Sequence, residues 1–169
     1  MRIALTGTPG TGKTTVAALL PYRVIDLNAL VKGGLNLGTD PERGCLEADM
    51  EGLEQKLAEM DINELTVLEG HFSHYFADEA IVLRLEPSEL KKRLEARGYP
   101  ETKIHENLES EVVDVILVEA VEFCGRVSEI DTTNRSPREV ADLVVKAIRK
   151  EINLGPGQVD WLEDFFDTG

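Results

Sequence analysis

Only two cysteines, Cys45 and Cys124, occur in 169 residues; they lie far apart, with no CxxC pair and no Cys/His spacing of the zinc type. That excludes a disulfide-stapled scaffold and a structural zinc finger, and predicts free thiols in a reducing compartment. No apolar run approaches the roughly 18 residues of a membrane span, and the first residues lack a charged segment, an apolar stretch and a small-residue cleavage site in succession. A soluble, cytoplasmic protein is therefore expected. No Pro- or Ser-rich linker, repeat or low-complexity segment divides the chain, so a single domain with one sizeable core is expected over 1–169. Basic residues are also few, 18 Lys and Arg against 32 Asp and Glu, for a formal charge of −14. Such a surface repels phosphate backbones, which argues against direct nucleic-acid binding and favours a basic protein partner, or solubility alone.

What the chain does contain is a phosphate-binding loop. Gly7-Thr8-Pro9-Gly10-Thr11-Gly12-Lys13-Thr14 satisfies GxxxxGK[ST] without a mismatch, directly after the apolar run Ile3-Ala4-Leu5. Glycines let the backbone turn its N–H groups onto an anion, and a helix starting near Lys13 aims its positive end at the same point. Lys13 then reaches the β- and γ-phosphates of a nucleoside triphosphate, and the Thr14 hydroxyl meets Mg²⁺. Thr15 continues the helix.

Short apolar strands are predicted at 2–6, 23–26, 65–69, 80–85 and 126–131, and helices at 13–20, 49–60, 87–97, 102–123 and 137–150. This alternation predicts an α/β fold with a parallel sheet covered by helices on both sides. Ser136-Pro137-Arg138-Glu139 has the composition of a capping box, while Gly98 and Pro100 close the helix before them. The segment 33–41, rich in turn residues and without periodicity, is expected to be a long mobile loop.

Three further groups carry chemistry. Glu69 ends the strand 65–69, where the carboxyl edge of a parallel sheet faces a ligand crevice, and is a candidate for the Mg²⁺ shell. His71 follows two residues later, placed to hold a water or shuttle a proton; His74 reads as structural or exposed. Arg93 and Arg97 stand four apart on one helical face with Lys103 just beyond, suiting a transferred phosphoryl group. A structural alternative stays open, because Glu89 can pair with Arg93 and Arg97 suits a helix C-terminus. In the tail, Trp161 and Phe165 share a face among acids, either docking on the body or offered to a basic partner.

With these residues assembled, the chain resembles the adenylate kinase isoenzyme 6 family, the adenylate kinase-like ATPases tied to small-subunit ribosome assembly. The resemblance rests on the loop 7–14, the step Glu69-Gly70-His71, and the string Arg93-Leu94-Glu95-Ala96-Arg97-Gly98-Tyr99 followed by Lys103 and Glu106-Asn107. It implies a P-loop nucleoside-monophosphate-kinase core, a three-layer α/β/α fold with five parallel strands in the order 2-3-1-4-5. A monophosphate-binding region is implied at about 28–60, a lid at about 97–107, and an acidic aromatic tail at about 153–169. The implied activity is ATP + AMP to two ADP, with slow ATP hydrolysis and binding of a basic small-subunit ribosomal protein. The alternatives are an assembly factor with secondary kinase activity, and a P-loop kinase of another small molecule.

By the same resemblance, Lys13, Glu69, His71 and Arg97 are the catalytic residues. ATP falls to Gly7, Pro9, Gly10, Thr11, Gly12, Lys13, Thr14, Thr15, Arg93, Arg97 and Lys103, with Asn134, Arg135 and Pro137 beside adenine. Asn28, Lys32 and Asp49 fall to AMP, and Thr14 and Glu69 to Mg²⁺. Two positions depart from the family pattern: Glu69-Gly70 stands where Asp and an aromatic residue are common, and Lys32 where an arginine often grips the AMP phosphate.

Overall fold

Five short apolar segments that cannot be buried singly come together as one parallel sheet, each flanked by amphipathic helices that cover its faces. The computed structural model describes residues 1–167. The strands are β1 Arg2–Thr6, β2 Arg23–Asp26, a hairpin of β3 Asn36–Thr39 and β4 Leu46–Ala48, then β5 Thr66–Glu69, β6 Glu79–Arg84 and β7 Arg126–Asp131. The main sheet runs β2-β5-β1-β6-β7, all pairs parallel. Counted along the chain, with the hairpin aside, that is the expected order 2-3-1-4-5.

The helices are α1 Lys13–Ala17, α2 Leu27–Lys32, α3 Met50–Glu59, α4 Pro87–Ala96, α5 Glu101–Val112, α6 Val115–Phe123, α7 Pro137–Ile148 and α8 Leu162–Asp167, with a 3₁₀ turn at Ser73–Phe76. Alternation along the strands sorts the core. Ile3, Leu5, Ile81 and Leu83 face Val16 of α1 and Val140 and Val144 of α7, while Ala4, Ala80 and Val82 face Ile116, Leu117 and Ala120 of α6. The register puts Leu5 beside Glu69 and Asp26 beside Glu69, so the carboxyl ends of β1, β2 and β5 lie together at the mouth of the phosphate loop.

The structure corrects three sequence readings. The segment 33–41 is not a long mobile loop; it enters the β3–β4 hairpin, with Asn36 opposite Ala48 and Thr39 opposite Leu46. The hairpin is short and mostly exposed, so it has no apolar alternation to betray it. Helix α2 went unseen, although Asp26 caps it by accepting from the Ala29 amide at 3.1 Å, and Leu27, Leu30 and Val31 have helical spacing.

The single helix expected at 102–123 is two, broken at Val113-Asp114, where Asp114 takes a left-handed conformation with φ 60°. The cause is tertiary. Arg84, from β6, donates its Nη2 to the carbonyl of Glu111 at 2.8 Å and to the Asp114 carboxylate. A continuing helix would give that carbonyl to the amide four residues on. Apolar periodicity runs through the break undisturbed, so the sequence does not show it.

The capping box is present as read: the Glu139 amide donates to Ser136 Oγ, and the Ser136 amide donates to Glu139 Oε2. Among the described residues, no helix is long and apolar enough to cross a membrane.

Candidate nucleotide-binding cleft

The loop between β1 and α1 is shaped by close contacts that leave no room for side chains. Gly7 has φ 145°, and a Cβ there would lie 2.5 Å from the Leu83 carbonyl oxygen. Gly10, at φ 98°, sits against Leu90 and Leu94 of α4, a Cβ meeting them at 2.8 and 3.1 Å. The loop is thereby packed onto both β6 and α4. Thr11 is buried, its hydroxyl donating to the Thr8 carbonyl at 2.9 Å.

Lys13, 7 % exposed, folds back over the loop and donates to the carbonyls of Gly7 at 2.8 Å and Thr8 at 3.1 Å. Burial lowers its pKa to about 8; Glu69 and Glu111 oppose the shift, and the Arg97 cation adds to it. This is a desolvated ammonium without a full counter-charge, held where an anion would supply one.

Facing it across the cleft, Thr14 Oγ1 donates to Glu69 Oε1 at 3.4 Å. Glu69 is buried, and its pKa is raised, first by burial and then by the Asp26 carboxylate, with Lys13 and the Thr14 hydrogen bond opposing. A divalent cation placed beside such a carboxylate would oppose that rise. No group of three or more His, Cys, Asp or Glu able to hold a metal exists among the described residues. One hydroxyl and one carboxylate suit Mg²⁺, which keeps several waters and draws remaining ligands from phosphates.

His71 opens onto the cleft, edge-on to Phe72 with ring centroids 4.8 Å apart. Although its side chain is exposed, desolvation by the surrounding cleft and the charges of Lys13, His74 and Lys103 lower its pKa from the usual histidine value. It is neutral at physiological pH and offers a ring nitrogen that can accept a hydrogen bond from water. His74, by contrast, is buried and structural, its ring nitrogens engaging Thr6 Oγ1 at 3.2 Å and Glu119 at 2.9 Å.

The cleft encloses about 1030 Å³, at the upper end of the range for small-molecule sites. It gathers Pro9, Gly10, Gly12, Lys13, Thr14, Thr15, Glu69, His71, Arg97 and Lys103, and also Asn28 and Lys32 from α2. Lys103 rests over the Tyr99 ring, 4.5 Å from its centroid.

Other sequence candidates lie elsewhere. Gly7 and Thr11 shape the loop from beneath. Arg93 donates to the Gly10 carbonyl at 3.3 Å and lies 3.7 Å from Glu89, so it combines the loop contact with the helical ion pair. Asp49 is the N-cap of α3, accepting from the Gly52 amide at 2.9 Å, and does not line the cleft. Asn134 and Arg135 sit on the exposed turn after β7 and Pro137 opens α7, none of them among the cleft-lining residues.

Two residues were missed. Arg43, on the β3–β4 hairpin, lines the cleft; its segment has the composition of a loop and no periodicity, so the sequence does not mark it. Glu111 lies behind the loop and accepts from the Thr8 hydroxyl at 2.6 Å. Its spacing looked like an ordinary acidic helix position.

A profile of the AAA domain family matches residues 3–114, from β1 to the break after α5. Over 166 residues, covering 94 % of this chain and 96 % of the other, it is 51 % identical to a protein of Methanothermobacter thermautotrophicus named "Putative adenylate kinase". The chain belongs to this adenylate kinase-like family of AAA-domain proteins. A second member with the same name, from Methanosarcina acetivorans, is 45 % identical over 96 % of this chain and 98 % of its own. Among solved structures, thymidylate kinase from Candida albicans superposes with a TM-score of 0.56 at 13 % identity, over 89 % of this chain and 91 % of its own, a likeness of fold. The family profile ends before α6, so the C-terminal third of this adenylate kinase-like chain lies outside it.

Proposed function

We propose that the protein transfers the γ-phosphoryl group of ATP to AMP, giving two ADP, and hydrolyses ATP slowly when no acceptor is bound. The observation that carries this reading is one large cleft lined both by the phosphate loop, Lys13, Glu69, His71, Arg97 and Lys103 and by Asn28 and Lys32 of α2 and Arg43 of the β3–β4 hairpin. Two polyanions can then meet in line. An AMP phosphate oxygen attacks the γ-phosphorus, and the bond to the ADP leaving oxygen breaks. Lys13 holds the β- and γ-oxygens, while Arg97 and Lys103 neutralise charge around the transferred group. Thr14 and Glu69 would hold Mg²⁺, which supplies charge neutralisation on the phosphates. Lys32 and Arg43 grip the AMP phosphate. His71, neutral at pH 7, orients a water in the hydrolytic side reaction.

The deciding experiment is ADP formation from MgATP with and without AMP. AMP should raise the rate by well over an order of magnitude; an unchanged rate would rule out the kinase reading. Another monophosphate or a small hydroxylated acceptor outperforming AMP would reassign the acceptor. Changing His71 to Ala should lower acceptor-free hydrolysis about tenfold, through loss of the water's orientation, with ATP affinity nearly unchanged. Equal losses in both would assign His71 to binding.

A second reading, an ATP-dependent assembly factor for a basic small-subunit ribosomal protein, has its own support. The net charge is −14, and α6 exposes Val118, Val121 and Phe123 together with Glu122. An acidic, partly apolar face suits a basic partner. Complex formation with such a protein should weaken as salt rises, and a salt-independent complex would contradict charge-led recognition.

A further inference from the structure

Behind the phosphate loop, two buried carboxylates share one guanidinium. Glu111 and Glu129 are each 2 % exposed and Arg84 is 1 % exposed. Arg84 Nε donates to Glu111 Oε1 at 2.7 Å, and Nη1 donates to Glu129 Oε2 at 2.9 Å. The half-buried Asp114 takes a further share of the same cation. One positive charge against these acids leaves a surplus of buried negative charge, which neutral donors must stabilise.

Those donors come from two places. The Thr8 hydroxyl donates to Glu111 Oε2 at 2.6 Å, and the Leu85 amide to Oε1 at 3.3 Å. The C-terminal segment supplies three more: the amides of Gln158 and Val159 to Glu129 Oε1 at 2.8 and 3.0 Å, and the Trp161 indole N–H to Glu111 Oε1 at 3.2 Å. One turn beyond, Phe165 packs on the cluster that holds Leu90 and Leu94, the side chains that Gly10 rests against. Polar and apolar contacts thus both run from the segment to the loop.

We propose that Glu111 is a positioning residue for the phosphate loop, locked by the C-terminal segment 158–161, so that nucleotide binding and docking of that segment are thermodynamically linked. If the segment leaves, Glu129 loses two donors and Glu111 one, and Glu111 is held against Thr8 only by Arg84 and the Leu85 amide, a looser hold on the loop. Linkage is reciprocal: a nucleotide that orders the loop must tighten the segment by the factor by which the segment tightens the nucleotide. A partner that pulled the segment away would release nucleotide. The proposal rests on the nucleotide reading of the cleft, and its test separates the two.

In the wild-type protein, saturating MgADP should slow amide exchange at Gln158 and Val159 about fivefold more than at Val144, a core amide of α7 that reports global stabilisation alone. Acrylamide quenching of Trp161, the chain's one tryptophan, should fall in parallel. Thr8→Val and Trp161→Phe each remove one donor to Glu111, the first without change of bulk and the second keeping an aromatic ring in the pocket, and each should weaken MgADP binding about fivefold. The double variant should be little worse than either, because both act through one carboxylate. Penalties that multiply, with exchange at 158 and 159 only tracking Val144, would overturn the linkage while leaving the nucleotide site intact. No calorimetric binding of MgADP by the wild type would overturn both.

Discussion

Replacing Lys13 by Met should abolish detectable MgATP binding and at the same time make the nucleotide-free protein more stable. The two effects have one cause. Lys13 is buried over the loop with its pKa lowered to about 8 from 10.5. At neutral pH, holding that ammonium charged costs about 3 kcal/mol as an upper bound, reduced by the two carbonyl hydrogen bonds it makes. An apolar side chain of similar length removes the cost, and a melting temperature higher by several degrees is expected for a chain of this size.

The sign of the pH dependence follows. Between about pH 8 and 10.5 the unfolded chain binds more protons at this position than the folded one. Wild-type stability without nucleotide therefore gains from Lys13 as pH rises through that window, and the gain is absent in Lys13→Met. Bound phosphates favour the charged form, so MgATP binding at pH 8.5 should take up a proton, seen as a dependence of calorimetric heat on buffer ionisation. A Lys13→Met protein that keeps tight MgATP binding would remove the phosphate-loop assignment. One that melts below wild type at pH 7 would remove the buried-charge account.

Replacing Arg84 by Met should cost about 3–5 kcal/mol of stability, the range for removing one partner of a buried ion pair. Glu111 of α5 and Glu129 of β7 would then face each other without a cation, while Asp114 and the Glu111 carbonyl would lose the donor that breaks α5 from α6. Urea unfolding measures the loss. Adding Glu129→Gln should recover part of it, since a neutral amide no longer needs the missing charge; no recovery would place the cost in lost packing. A loss under 1 kcal/mol would mean that the network contributes little.

Nucleotide binding was legible because its determinant is local. The phosphate loop needs only glycines, a lysine and a threonine at fixed spacing after a strand and before a helix, and backbone geometry then places the anion. The placement of Glu69 and His71 in the cleft was legible because a parallel sheet presents the carboxyl ends of its strands on one edge, so a carboxylate closing an apolar run lands in the crevice. The capping box at Ser136 and Glu139 was legible for the same local reason.

Arg84 was not. It closes an apolar strand much as Glu69 does, yet it is one of the most buried side chains described, and what it does depends on Glu111, Asp114 and Glu129, 27, 30 and 45 residues away. The helix break at Asp114, the hairpin that brings Arg43 to the cleft and the seating of Trp161 on Glu111 share that character.

The amino-acid sequence by itself determined the strand and helix alternation, the phosphate loop and the acid–histidine step, because each is decided by neighbours within a few residues. Only the tertiary structure decided that the C-terminal segment closes the back of the loop. A buried charge must find its partners across whatever distance the chain allows, and spacing along the sequence carries no record of that distance.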